Sequence, residues 1–167
     1  MKHPEQRVAI FVDVQNMYHS AKNIYNSRVN FKEVLREAVA ERKLVNAFAY
    51  VITSPNKEES PFFEALEKSG FTIKTKDLQI FAGGAKKADW DVGLAVDAIR
   101  MSPRLDVVII VSGDGDYVPM VDYLQNNGLQ VEVIAFGESS SHSLVEAADC
   151  FTDLSKDKKR FLMKIKN

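Results

Sequence analysis

The chain is short of the residues that staple or ligate a small fold. One cysteine, Cys150, and three histidines stand among 167 residues. An internal disulfide and a multi-cysteine metal site are therefore excluded, and Cys150 reads as a small buried hydrophobe. Long hydrophobic runs are missing as well. The longest purely aliphatic one, Val107–Val111, has five residues, far below the roughly 20 a membrane helix needs. The apolar stretch Val8–Val12 is broken at once by Asp13, with no small-residue cleavage site after it, so no secretory signal is expected. Neither Gly-x4-Gly-Lys-Ser/Thr nor Gly-x-Gly-x-x-Gly occurs, which removes two common phosphate cradles.

Net charge is nearly absent too, with 22 Lys+Arg against 23 Asp+Glu. That balance hides an asymmetry. Ser155–Asn167 carries six basic residues and one acid, a local +5 that leaves −6 on Met1–Leu154. The division expected is a domain over 1–154 and a basic helical tail over 155–167. Such a tail suits either a nucleic-acid contact or a solvated helix face docking through Phe161, Leu162 and Ile165. What the chain does have is 46% hydrophobic residues, ten of them Phe, which excludes a disordered segment. One domain is expected, large enough to bury roughly 70% of its unfolded surface. It is expected to be soluble and cytoplasmic.

Short β-branched runs alternate with longer helical segments, the pattern of a parallel α/β sheet. Strands are expected at Val8–Val14, Val45–Thr53, Phe71–Lys76, Leu105–Val111 and Leu129–Phe136. The unbroken run before Ser112 suits a strand covered on both faces. Helices are expected at about Asn16–Tyr25, Phe31–Arg42, Pro61 to Gly70, Asp89 or Asp91 to Pro103, and Tyr117–Asn127. Ser54, Pro55 and Asn56 mark a turn, and Ala82–Ala88 a glycine- and lysine-containing loop. Ser143 followed by Glu146 has the spacing of a capping box. Five strands with helices between them suit a three-layer α/β/α sandwich.

The acids collect where such a sheet binds ligands, at the carboxyl ends of its strands. Asp13 ends the first strand, Asp114 and Asp116 follow the fourth, and Asp89 and Asp91 open the preceding helix. If strands one and four are neighbours, these groups converge. Two carboxylates about 4 Å apart repel by roughly 4 kcal/mol at an effective dielectric near 20. Three or four ionised together need a cation, or some must protonate. Oxygen-only ligation favours Mg²⁺ or Mn²⁺ over zinc. Each acid also has a plainer reading. Ser112-Gly113-Asp114-Gly115-Asp116 is a good turn, Asp116 and Asp89 suit helix caps, and Asp91 suits a helix dipole. Asp13 is harder to dismiss, because an acid after an apolar strand is costly without a purpose. An EF-hand is excluded by the absent glycine and distal glutamate.

Phe11-Val12-Asp13-x-x-Asn16, Lys86/Lys87 before Asp91-Val92-Gly93-Leu94-Ala95-Val96-Asp97, and Ser112-Gly113-Asp114-Gly115-Asp116-Tyr117 resemble the NYN domain, LabA-like branch. Ser141-x-x-Leu144 and Ala148-Asp149-Cys150-Phe151 fit its C-terminal pattern, so the likeness runs from about Arg7 to Leu154. That family is similar to PIN-domain ribonucleases. The resemblance implies a Rossmann-like (PIN-like) five-stranded, mainly parallel sheet of order 3-2-1-4-5. It also implies a Mg²⁺- or Mn²⁺-dependent endoribonuclease. Carried over by position, Asp13, Asp91, Asp114 and Asp116 are the metal-binding acids, with Asp89 a rival to Asp91. Asn16 orients a water or phosphate, and Ser112 positions the scissile strand. Metal-activated water then attacks the phosphodiester in line, leaving a 5′-phosphate and a 3′-hydroxyl, with Lys87 and the metal stabilising the added charge. Asp97 also matches, with a buried hydrogen-bonding role as its plainer reading.

Single-stranded RNA is the partner expected. Lys74, Lys76, Lys86 and Lys87 would follow its backbone and Trp90, Tyr18 or Phe81 would stack a base. Against this, Lys74 and Lys76 suit an edge strand guarded from unwanted pairing, Trp90 suits core packing, and His19 and His142 suit the surface. An exposed tail face would allow a homodimer. Two rivals remain. A haloacid-dehalogenase-like phosphatase needs a second Asp where Gln15 stands. A non-catalytic RNA-binding or regulatory module would keep the pocket without turnover.

Overall fold

The computed structural model describes residues 2–54, 59–80, 82–83, 86–87 and 89–165. The first strand, β1 (Arg7–Asp13), is buried from Val8 onward and runs straight into α1 (Val14–Tyr25). Asp13 is at once the last strand residue and the helix cap, its carboxylate accepting the Asn16 N–H at 3.2 Å. Asn26, left-handed at φ 47°, ends the helix. Then come β2 (Ser27–Val29), α2 (Phe31–Val39) and β3 (Lys43–Thr53). The second helix stops short of Arg42 because Ala40 and Glu41 both turn left-handed. Helix α3 (Ser60–Ser69) has Pro61 in its first turn and Gly70 at φ 113° after its last, the favoured positions for each. Strand β4 (Thr72–Asp77) follows.

The segment expected as a loop over Ala82–Ala88 contains a strand, β6 (Lys86–Lys87), paired antiparallel with β5 (Gln79–Ile80). Its residues Gly84, Ala85 and Ala88 lie outside the described residues, as do Pro55 and Asn56 of the expected turn. Helix α4 (Asp91–Met101) opens at Asp91, with Trp90 rather than Asp89 at the cap, and passes into a 3-10 turn at Pro103. Next are β7 (Val107–Val111), a 3-10 turn over Gly115–Tyr117, α5 (Val118–Asn126) and β8 (Gln130–Ala135). Helix α6 (His142–Ala147) starts after Ser141, without a side-chain cap bond. The expected capping box is therefore not formed. Ser143 lies inside the helix and bonds the Ser141 hydroxyl, and Glu146 pairs with His142 instead.

The main sheet has order β4-β3-β1-β7-β8 with one further strand, β9 (Cys150–Asp153), at the far edge, and every pairing is parallel. Six strands replace the five expected. The extra one is four residues long and half-buried, too short to show a period. It is seated by long-range bonds: the Val131 N–H donates to the Asp149 carboxylate, and the Asp149 N–H to the Val131 carbonyl. Among its described residues, the stretch expected as a helical tail is helical only through Leu154–Asp157 and α7 (Lys158–Phe161). It then becomes β10 (Leu162–Lys164), antiparallel to β2. Phe161 is buried, and Arg160 pairs with Glu33 and Glu37 of α2.

Alternation along β1 splits the core into two layers. Val8, Ile10 and Val12 pack with α1, α2 and Phe161, while Ala9 and Phe11 pack with α4 and α5. The same parity sends Asp13 to the α4 side. On β7, Val108 and Ile110 share that layer, so Ser112 follows them toward Asp13. Among the described residues no helix is long and apolar enough to cross a membrane.

Candidate metal centre

Three of the expected acids meet at the carboxyl ends of β1 and β7. Asp13, Asp91 and Asp114 each offer an oxygen, and these oxygens lie within 4.8 Å of one another. They come from the end of β1, the first turn of α4 and the loop after β7, so only the parallel pairing of β1 with β7 unites them. The group sits in a cleft of about 490 Å³ lined also by Asn16, Asp89 and Asp116. Asp116 is exposed and Asp89 is exposed. Both face the cleft without belonging to the close trio.

Each carboxylate is held differently. Asp13, buried to 7% exposure, accepts from the Asn16 N–H, from the Ser112 hydroxyl at 3.3 Å and from the Tyr117 hydroxyl at 3.2 Å. Asp114 caps the 3-10 turn by accepting the Asp116 N–H at 2.9 Å, while its own N–H donates to Ser112 Oγ at 3.1 Å. The Tyr117 oxygen also lies 3.1 Å from Asp91 Oδ1, so its single proton is shared between Asp13 and Asp91. Asn16 accepts the Gly113 N–H at 3.0 Å, tying α1 to the acidic loop. Ser112 is fully buried, so its hydroxyl supports Asp13 rather than reaching into the cleft.

The electrostatics follow from this crowding. Burial raises Asp13 above the usual carboxylate range, against the hydrogen bonds from Asn16, Tyr117 and Ser112. Burial, then the charge of Asp114, pushes Asp91 up to about 6, with Asp13 and Asp89 adding to the effect and Tyr117 opposing it. Burial and the two carboxylates drive the Tyr117 phenol upward, so it stays a donor. Without a cation the trio resists full ionisation. The donor set fits Mg²⁺ or Mn²⁺, being all carboxylate. With one oxygen from each within 4.8 Å of the others, the three carboxylates could share a single divalent ion.

Other expected residues fall elsewhere. The Lys74 ammonium pairs with Asp97 at 2.6 Å and is not part of the cleft. Asp97 is buried and also bonds Tyr50 and Arg100. Burial acts to raise its pKa, but Lys74 and Tyr50 prevail and hold it below the usual range. Lys76 donates to the Asp89 carbonyl at 3.1 Å, at the cleft rim. Trp90 packs edge-on to Tyr50 and donates to the Val51 carbonyl at 3.0 Å. Tyr18 is exposed beside His19, and His19 lines the cleft. The side chains of Lys86 and Lys87, and all of Phe81, lie outside the described residues.

Sequence reasoning missed two features. Tyr117 was visible only as the aromatic closing the acidic motif, and nothing local marks its hydroxyl as useful. The face of α1 carrying Asn16, Ser20 and Asn23 also lines the cleft. Its i, i+4, i+7 spacing opposite Val14, Met17 and Ala21 was a legible signal.

Comparison with known proteins agrees with this geometry. The chain is 25% identical over 164 residues to the Low amplitude and bright protein LabA of Synechococcus elongatus, covering 89% of this chain and 84% of that one. An uncharacterised protein of Methanocaldococcus jannaschii is 30% identical over 150 residues, covering 87% of this chain but 54% of that longer protein. The crystal structure of a Vibrio parahaemolyticus protein of unknown function superimposes with a TM-score of 0.87 at 33% identity, over 98% of this chain and 99% of that one. The model of the NYN domain matches residues 7–155, and with the parallel sheet and the carboxylate trio in place, the chain belongs to the NYN domain family.

Proposed function

We propose that this protein is a divalent-metal-dependent ribonuclease that hydrolyses phosphodiester bonds in single-stranded cytoplasmic RNA. The observation that carries the reading is the trio itself. Asp13, Asp91 and Asp114 come from three separate segments to within 4.8 Å at the floor of an open cleft. A Mg²⁺ or Mn²⁺ ion bound there would supply a polarised water and neutralise charge on the phosphoryl oxygens. The three carboxylates would hold it, and Asp116 on the rim would orient the attacking water. Asn16, its Oδ1 fixed by the Gly113 N–H, turns its amide toward the scissile phosphate. Lys86 and Lys87 follow the strand, and the products carry a 5′-phosphate and a 3′-hydroxyl.

The test is cleavage of labelled single-stranded RNA with Mn²⁺, Mg²⁺ or EDTA, wild type against Asp114→Asn. Metal-dependent cleavage that falls at least about 100-fold in the variant is expected. Wild-type protein that binds Mn²⁺ and RNA yet releases no product would instead favour a regulatory RNA-binding module. Among the described residues the cleft lining carries five aspartates and no Lys or Arg, so an RNA strand in it needs a bound cation to offset the charge, whichever of the two readings holds. Phosphatase chemistry has less support, since Gln15 on the cleft wall cannot serve as its second acid.

A further inference from the structure

We infer that Tyr117 is a positioning residue for the metal ligands, its one hydroxyl tying Asp13 at the end of β1 to Asp91 at the start of α4. The inference rests on the metal-dependent reading above. The phenol is 1% exposed, and its oxygen lies 3.2 Å from Asp13 Oδ2 and 3.1 Å from Asp91 Oδ1. The ring packs in the layer formed with Leu94, Met120 and Leu144. Packing therefore accounts for the ring, and only the two carboxylates account for the hydroxyl.

The ligands differ in how much they depend on it. Asp13 has two further donors, the Asn16 N–H and the Ser112 hydroxyl. Asp114 is anchored within its own loop by the Asp116 N–H. Among the described hydrogen bonds, the Asp91 carboxylate accepts from Tyr117 alone. Asp91 is also the carboxylate of the trio carried by a helix packed on the sheet face rather than by a strand end or the loop after it. Removing the hydroxyl leaves its carboxylate free to rotate out of the position a shared cation needs. Partners of this kind, when removed, weaken metal binding by about 10–100-fold.

The experiment compares Mn²⁺ binding, read from the free-ion electron paramagnetic resonance signal, in wild type, Tyr117→Phe and Tyr50→Phe. Tyr50 is the control, because its buried hydroxyl bonds Asp97, which lies outside the trio. Tyr117→Phe is expected to bind Mn²⁺ about 10–100-fold more weakly, and any RNA cleavage it loses should return as Mn²⁺ is raised. Tyr50→Phe is expected to keep wild-type affinity. Equal affinity in wild type and Tyr117→Phe would overturn the inference and leave the metal site standing, as would equal weakening in both variants. Wild-type protein that binds neither Mn²⁺ nor Mg²⁺ would overturn the metal reading and this inference together.

Discussion

Asp91 carries the conflict between stability and function most openly. Its carboxyl is raised from 3.8 to about 6, first by burial and then by Asp114. A raised carboxyl favours the protonated form in the fold, so its contribution is largest below about pH 4 and is lost as pH rises through about 6. In EDTA, Asp91→Asn should melt higher than wild type at pH 7.5, and the difference should shrink toward pH 5. Calorimetry of both proteins across that range checks this, and a constant difference would contradict it. Metal linkage runs the other way. A divalent cation should raise the wild-type melting temperature at pH 7.5 and lose that effect as pH falls through 6, because protons compete for the same oxygens.

At the scale of elements, α4 aims Asp91 and is itself aimed by Trp90. The indole lies across the first turn so closely that a Cβ on Gly93 would meet its ring at 2.6 Å. Glycine in that helix costs about 1 kcal/mol in propensity, which the seating of Trp90 on Tyr50 and the Val51 carbonyl offsets. Gly93→Ala should therefore destabilise the protein by about 1–3 kcal/mol despite the better helix former. It should also shift the emission of the single tryptophan and weaken Mn²⁺ binding through Asp91. Denaturant unfolding followed by tryptophan fluorescence reads the first two effects at once. The acidic loop is braced in the same way. A Cβ on Gly115 would meet Ser141 Oγ at 2.6 Å, and Gly113 receives the Ser141 N–H at its carbonyl. The Ser-Gly-Asp-Gly-Asp motif is thus shaped by the turn after β8 as well as by its own residues.

Across the whole molecule, the end opposite the cleft is locked by a buried ion pair. Arg42, before β3, meets Glu132 of β8 through two bonds of 2.8 and 2.9 Å, both side chains nearly inaccessible. Its remaining N–H groups go to Gln6, Val39 and Ala38, so every donor of the guanidinium is used. Removing one partner of such a pair leaves a buried charge, and Glu132→Ala should cost about 3–5 kcal/mol. Urea denaturation measures that loss, and Mn²⁺ affinity of the folded protein should stay as in wild type. Phe161→Ala should cost a similar 3–5 kcal/mol, because the C-terminal segment closes the layer over β1 rather than trailing from it.

Much of this was legible in the chain. The apolar runs of β1 and β7, Pro61 and Gly70 around α3, and the acids at the strand ends are local patterns, and local patterns express backbone propensity and burial directly. They determined a parallel α/β sheet with Asp13, Asp91 and Asp114 facing one end. What only the tertiary structure decided depends on distance rather than pattern. Asp116 stands on the rim while Asp114 turns inward, since Asp114 caps its own turn. Strand β9 exists because Val131 and Asp149 bond across the sheet edge. The tail becomes a strand because β2 offers it a partner. Tyr117 touches two of the carboxylates because β1 pairs with β7 and α4 packs over both. In each case the deciding contact joins residues that are distant along the chain or bends a motif against its neighbours, and no local periodicity encodes it.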